Sequence, residues 1–169
     1  MNSRAPDWLI LISASFFILV LFLSAAWDPS IRWLHFFQAW MYVATIWLSL
    51  RKSVWGYFIG ISAAGLWAYG SVFVNTFFVN GLQQLVLWMK TGHLARPDLL
   101  IAVPAWLSNV LVVVGCVWGY CQIQRKKPTD FVRFAATFAL TTAFFALDMA
   151  LFQPRYLGFF RHLLHPHLP

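Results

Sequence analysis

The chain has 169 residues, of which 61% are hydrophobic, 19% aromatic and 10% charged, and its formal net charge is +7. A soluble domain carries roughly 25% charged residues, so this composition excludes an ordinary soluble fold and indicates one integral membrane domain over 1–169. The basic residues lie at the ends of apolar runs and form no polar stripe, which argues against nucleic-acid binding and is typical of loops beside membrane spans.

Five apolar runs approach the ~20 residues that a helix needs to cross a bilayer. Turn or charge signals such as Asp28-Pro29, Arg51-Lys52 and Gln153-Pro154 end them. The first run is longer than the apolar region of a signal peptide, so we expect it to be retained. We therefore predict an all-α fold, a polytopic bundle of five transmembrane helices. The predicted spans are 8–27, 31–50, 54–80, 100–121 and 131–153.

Two further segments are predicted to lie on the membrane surface. Segment 81–97 reads as a short interfacial helix with Trp88 as an anchor, because its apolar residues share one face. The tail, 154–169, mixes aromatic and basic residues in the same manner. The apolar face of the first segment consists of Leu82, Leu85, Val86 and Met89.

The distribution of Lys and Arg predicts a cytoplasmic N-terminus and a C-terminus on the other side of a plasma or inner membrane. In this orientation seven basic residues lie inside: Arg4, Arg51, Lys52, Arg125, Lys126, Lys127 and Arg133. Five lie outside: Arg32, Lys90, Arg96, Arg155 and Arg161. The cluster "QRKK" decides the assignment.

Polar residues form a stripe on four of the five predicted spans. On span five, Arg133, Thr137, Thr141 and Asp148 lie within about 80° of one another around the helix. Because the four stripes most simply face each other, we predict a pocket that opens outward, with polar and aromatic walls. Its predicted ligand-binding residues are Asp148, His35, Gln38, Asn75, Trp106 and Asn109.

Asp148 is the central residue of this hypothesis. A charged residue within a span costs ~2.5–3.5 kcal/mol on insertion scales. Asp148 could therefore be protonated, paired with His35, or close enough to the interface to be hydrated. It has either a functional role or a structural hydrogen bond, and Gln38, Asn75 and Asn109 are equally well explained as hydrogen bonds between helices.

Gly56, Gly60 and Ala64 recur at four-residue spacing in span three. Small residues at this spacing allow close helix packing, either within the bundle or between copies of the chain or membrane partners.

A metal or cofactor has little support in the sequence. The only candidate metal ligands are His162, His165 and His167 of the tail, which lack an accompanying Cys or acid and are interrupted by Pro166. No phosphate loop, Ser-His-Asp arrangement or HExxH motif is present, and no cofactor is predicted.

Three functions remain open. The first is binding or transport of a small, lipophilic ligand in the outward pocket. The second is an accessory subunit of a larger membrane complex. The third is a small enzyme acting on a lipid, with His35 and Asp148 as acid and base, although catalysis is the least favoured. In size, span number and its ten Trp residues the chain resembles the translocator-protein family in outline, but no motif of that family aligns, so no residue roles are carried over.

Overall fold

The computed structural model describes residues 4–124 and 126–158. Within these ranges the chain is helical and contains no strand. The helices are α1 (Ala5–Trp27), α2 (Arg32–Leu50), α3 (Val54–Phe73), α4 (Phe77–Thr91), α5 (Ala102–Cys121) and α6 (Asp130–Phe152). Short 3-10 turns precede α2, precede α5 and follow α6; they span Pro29–Ile31, Pro97–Ile101 and Pro154–Leu157.

Several helices have the length and hydropathy of membrane spans. These are α1, Pro97–Cys121 and α6, and the bent pair α3 and α4 makes a fourth if it counts as one span. α2 falls outside this set because Arg32, His35 and Gln38 lower the hydropathy of its 19 residues. The all-α prediction is confirmed, and these three to four apolar helices indicate a membrane protein.

Span three differs from its predicted boundaries, because the helix breaks near residue 75. α3 ends at Phe73, α4 begins at Phe77, and the two axes differ by 61°. Thr76 has a φ of 52° and the Oδ1 of Asn75 accepts a hydrogen bond from the amide of Phe77 at 3.0 Å. This side-chain turn replaces the helical bonds that a continuous helix over 54–80 would need. α4 ends at Thr91 instead of 97, where Gly92 has a φ of 67°.

The bundle consists of four helices in a ring, with a fifth packed on its side. α1, α2, α3 and α5 each contact two neighbours in that order around the ring, and α6 packs against α3 and α2. At its centre the ring of Phe17 lies 4.6 Å from that of Tyr42 and 4.8 Å from that of Trp67. This aromatic centre fills the middle of the bundle.

The small residues of α3 face the inside of the bundle. A side chain at Gly56 would meet the backbone of Ser49, and one at Gly60 would meet Thr45 and Cys116. Ala64 is fully buried. The pattern therefore packs α3 against α2 and α5, and a contact between copies through these residues would require the bundle to open.

The end of the bundle where α1, α3 and α6 begin is held by polar contacts, and we call it the basic end. Lys52 pairs with Asp7 at 2.5 Å. Asp130, buried at the start of α6, accepts hydrogen bonds from the Tyr120 hydroxyl at 3.2 Å and the Lys127 amide at 3.0 Å, and pairs with Arg133. These bonds join the start of α1 to the α2–α3 turn, and α5 to α6.

Candidate functional site

A cavity of about 480 Å³ lies at the opposite end, which we call the cavity end. Residues of α1, α2, α3 and α6 line it, together with the start of α4 and the turns that precede α2, precede α5 and follow α6. Ligand pockets commonly measure ~300–1,000 Å³. The apolar lining residues are Val20, Leu21, Ile31, Leu34, Leu66, Trp67, Val74, Phe77, Ile101, Phe145 and Met149.

Burial distinguishes the base of the cavity from its rim. Gln38, Leu66 and Phe145 are buried, whereas Asn75 and Arg155 are exposed. The cavity is therefore an apolar recess with a polar rim and one buried amide in its wall. This is the usual composition of a small-molecule site.

His35, in the first turn of α2, lines the cavity and is bonded to α1. Its Nδ1 lies 2.9 Å from the carbonyl oxygen of Leu21. A carbonyl only accepts, so Nδ1 carries the proton, and Nε2 is an acceptor in the neutral ring. The bond fixes the ring against α1.

Gln38 lies one turn further along α2 and is 5% exposed. Its Oε1 is buried and has no hydrogen-bond partner among the described residues. A buried acceptor without a partner costs about 1–3 kcal/mol. Because Gln38 lines the cavity, a small change of its rotamer would turn this oxygen toward a bound molecule that supplies the missing donor.

Asp148 is 3% exposed, and neither of its carboxylate oxygens has a hydrogen-bond partner in the described part of the chain. It does not itself line the cavity, but Phe145 and Met149 of the same stretch of α6 do. Asp148 therefore lies behind the wall that these two residues form. Of the three alternatives for Asp148, pairing with His35 is not observed, since neither carboxylate oxygen has a partner among the described residues. Hydration at the surface does not fit its 3% exposure.

The rim carries an ion pair. Arg155 lies 3.6 Å from the carboxylate of Asp28 and its guanidinium stacks 5.0 Å from the Tyr156 ring centroid. The hydroxyl and amide of Ser30 donate to Asp28, and with the nearby Arg155 they hold the pKa of this carboxyl below its usual value. The positive charge on the rim is thus already compensated.

Of the six predicted site residues, His35, Gln38 and Asn75 line the cavity and Asp148 lies behind its wall. The Oδ1 of Asn75 also accepts a hydrogen bond from the amide of Phe77, the first residue of α4.

Trp106 and Asn109 lie elsewhere, because the predicted stripe of α5 faces two different neighbours. Trp106 packs on Phe78 of α4 with centroids 4.6 Å apart. The Oδ1 of Asn109 accepts from the Tyr42 hydroxyl at 2.6 Å and its Nδ2 donates to the Ala105 carbonyl. Neither residue is among those that line this cavity, so their predicted role in ligand binding stays a prediction.

Most of the lining residues were not predicted from the sequence, and Trp67, Phe145 and Arg155 are examples. The first two are apolar and carry no signal beyond ordinary packing. Arg155 directly follows Gln153-Pro154, the turn that ends α6, and this turn returns it to the cavity.

Within residues 4–124 and 126–158, no three His, Cys, Asp or Glu side chains are arranged to hold a metal ion. The tail histidines His162, His165 and His167 lie outside the described residues, as do Arg125, Arg161 and most of the predicted interfacial tail. No protein-family model matches the chain, and neither the curated proteins nor the solved structures contain a significant match.

Proposed function

We propose that this is an integral membrane protein that takes a small, largely apolar ligand into the cavity at the end of its bundle. The observation that carries the proposal is the unpaired, buried Oε1 of Gln38 in the wall of an apolar recess of about 480 Å³. Lipid tails cannot donate a hydrogen bond to this amide oxygen, so a cavity filled only by lipid would leave it unpaired, and an unpaired buried oxygen costs free energy.

The membrane placement that fits this function has five spans, with α4 on the surface. α1, α2, α3, α5 and α6 contain 23, 19, 20, 20 and 23 residues, and at 1.5 Å per residue each is about 30 Å long. α4 has 15 residues, of which only Gly81 is buried. With the N-terminus in the cytoplasm of a plasma or inner membrane, the cavity faces the opposite side.

Native mass spectrometry of the protein, extracted gently from its own membrane, tests the proposal. Ser71→Phe places a ring in the cavity, and Val132→Phe places the same ring on the lipid-facing side of α6, where Val132 is 66% exposed. We expect a bound small molecule in the wild type and in Val132→Phe, and its loss in Ser71→Phe. A bare chain in all three would refute the proposal.

A second candidate, an accessory subunit of a larger complex, is favoured by the outer face of α2. Trp33, Trp40 and Trp47 are each more than half exposed, and Trp40 lies in the middle of the helix. Trp usually lies at the membrane interface, so an exposed Trp in the middle of the helix fits a contact with another helix. A photo-crosslinking residue at position 40 would label a polypeptide in native membranes if this candidate is correct, and lipid alone if it is not.

The enzyme hypothesis is not proposed. It needs His35 and Asp148 to act on one substrate. Among the described residues no hydrogen bond joins His35 to Asp148, so the two side chains do not form a paired acid and base.

A further inference from the structure

We infer that the cavity selects a lipophilic amine, with its ammonium group directed to the base of the cavity and its apolar body against the walls. This inference rests on the proposed ligand cavity and names the chemical class of its ligand. The juxtaposition that carries it is a recess walled by apolar side chains, with unpaired acceptor oxygens on one lining residue, Gln38, and on Asp148 behind the wall.

The polar groups around the inner half of the cavity are acceptors in need of a donor. The Oε1 of Gln38 and both carboxylate oxygens of Asp148 are buried without partners among the described residues. His35 donates from Nδ1 to Leu21, which leaves Nε2 as an acceptor in the neutral ring. A ligand that brings N–H donors would satisfy groups that the protein leaves open.

The charge balance favours a cation in the same place. Among the described residues that line the cavity, Arg155 is the only one with a formal positive charge, and it is paired with Asp28 at the rim. Asp148 has no counter-charge in the described part of the chain, and it lies beyond the lining residues Phe145 and Met149. The flexible Met149 side chain can move aside. An amine that reaches Asp148 meets its carboxylate or takes the proton of its carboxyl, and either way an ion pair forms in a medium of low polarity.

An organic amine fits better than a small inorganic cation. A small cation such as Ca²⁺ or Mg²⁺ requires about six oxygen ligands close together. Gln38 and Asp148 together offer three unpaired oxygens. The apolar walls would also remain uncovered around a bare ion, while a hydrocarbon or aromatic body would fill them.

Three probes with one body and different head groups test the inference: 2-(1-naphthyl)ethylamine, 2-(1-naphthyl)ethanol and 1-naphthylacetate. Binding is measured by isothermal calorimetry on the protein in lipid nanodiscs, with empty nanodiscs to correct for partitioning. We expect the amine to bind at least about tenfold more tightly than the alcohol, because of the uncompensated carboxylate, and the acetate to bind most weakly.

Two variants test whether Asp148 is the residue that causes the preference for the amine. Asp148→Asn keeps the size of the side chain. We expect the amine to bind this variant no more tightly than the alcohol does. Alcohol binding should persist, and this shows that the variant is folded. Asp130→Asn alters the buried acid at the basic end of the same helix, and we expect it to retain the preference for the amine.

The outcomes separate this inference from the proposed function. Equal binding of amine and alcohol to the wild-type protein, abolished by Ser71→Phe, would overturn the amine inference and leave the ligand cavity intact. Amine binding that survives Ser71→Phe would place the amine outside the cavity and overturn it as well. No binding of any probe would also overturn it, and the native mass spectrum would then decide on the cavity itself.

Discussion

The ring of Phe37 on α2 stacks on that of Phe152 at the end of α6, with centroids 5.2 Å apart and planes 13° apart. Because α2 and α6 run in opposite directions, this pair sets their register. Asp148 therefore lies one helical turn, or about 6 Å, further from the cavity end than the two rings. Gln153 strengthens the same contact, since its Nε2 donates to the Ser30 carbonyl at 2.6 Å.

Phe37→Ala should destabilise the protein by about 1 kcal/mol, because the stacking of the two rings is lost. The loss is modest because lipid tails can fill the space that the ring leaves. Unfolding by sodium dodecyl sulfate in mixed micelles measures this change. Leu151→Ala is the control, since Leu151 lies beside Phe152 and faces outward. Equal losses in the two variants would mean that the stacked pair does not hold α6.

Gly56→Ala should destabilise the protein by about 1–3 kcal/mol, since the new methyl group would lie against the α2 backbone, which cannot rotate away. The ideal Cβ would lie 2.5 Å from the Ser49 amide nitrogen. Gly65→Ala is its matched control on the same helix, because a Cβ there meets nothing within 4 Å. That control should be neutral or stabilising by up to about 1 kcal/mol. The same unfolding assay measures both, and a neutral Gly56→Ala would contradict the close α2–α3 contact.

Tyr42→Phe should cost about 1 kcal/mol, because it leaves the buried Oδ1 of Asn109 without its donor. A double-mutant cycle with Asn109→Ala isolates the bond. In the Asn109→Ala background the same change of Tyr42 should cost little. Additive losses would show that the two side chains contribute independently.

Asp148→Leu should increase stability by about 1 kcal/mol, since it removes an unpaired carboxyl from the interior of the bundle. The same variant should lose the preference for the naphthyl amine. Unfolding and calorimetry on one preparation give both values. A loss of stability would show that Asp148 has a structural partner.

The turn between α1 and α2 should weaken in acid. The pKa of Asp28 is lowered by its hydrogen bonds from Ser30 and by Arg155, so its contribution to folding is present above the ordinary value of 3.8 and is lost as the pH falls through the lowered value. For this exposed group the contribution is below about 1 kcal/mol. The difference in unfolding free energy between wild type and Asp28→Asn should shrink from pH 7 to pH 3. A difference that stays constant over this range would refute the assignment.

Helix positions were predictable where the sequence marks its own turns. The ends of α1, α2 and α6 lie within a residue of the predicted ones, next to Asp28-Pro29, Arg51-Lys52 and Gln153-Pro154. The break between α3 and α4 was missed because "VFVNTFFVN" contains neither Gly nor Pro, and its turn depends on the Asn75 side chain and on Thr76.

Periodicity identified which residues face inward but not which neighbour they meet. Gln38 and Asp148, which lie on predicted polar stripes, are buried, and His35 lines the cavity. Periodicity could not show that Asn109 bonds to Tyr42 or that the Trp106 ring rests on α4, because these contacts depend on how the helices are arranged around the bundle. The cavity itself follows from that arrangement.

The aromatic centre of Phe17, Tyr42 and Trp67 makes the recess a cul-de-sac. Phe17 and Tyr42 are fully buried below the cavity and close its inner end. Under the proposed function, a ligand would therefore enter and leave on the same side of the membrane. A passage to the other side would demand that Phe17 and Tyr42 part, and the affinity of the site would then differ between the two sides of the membrane.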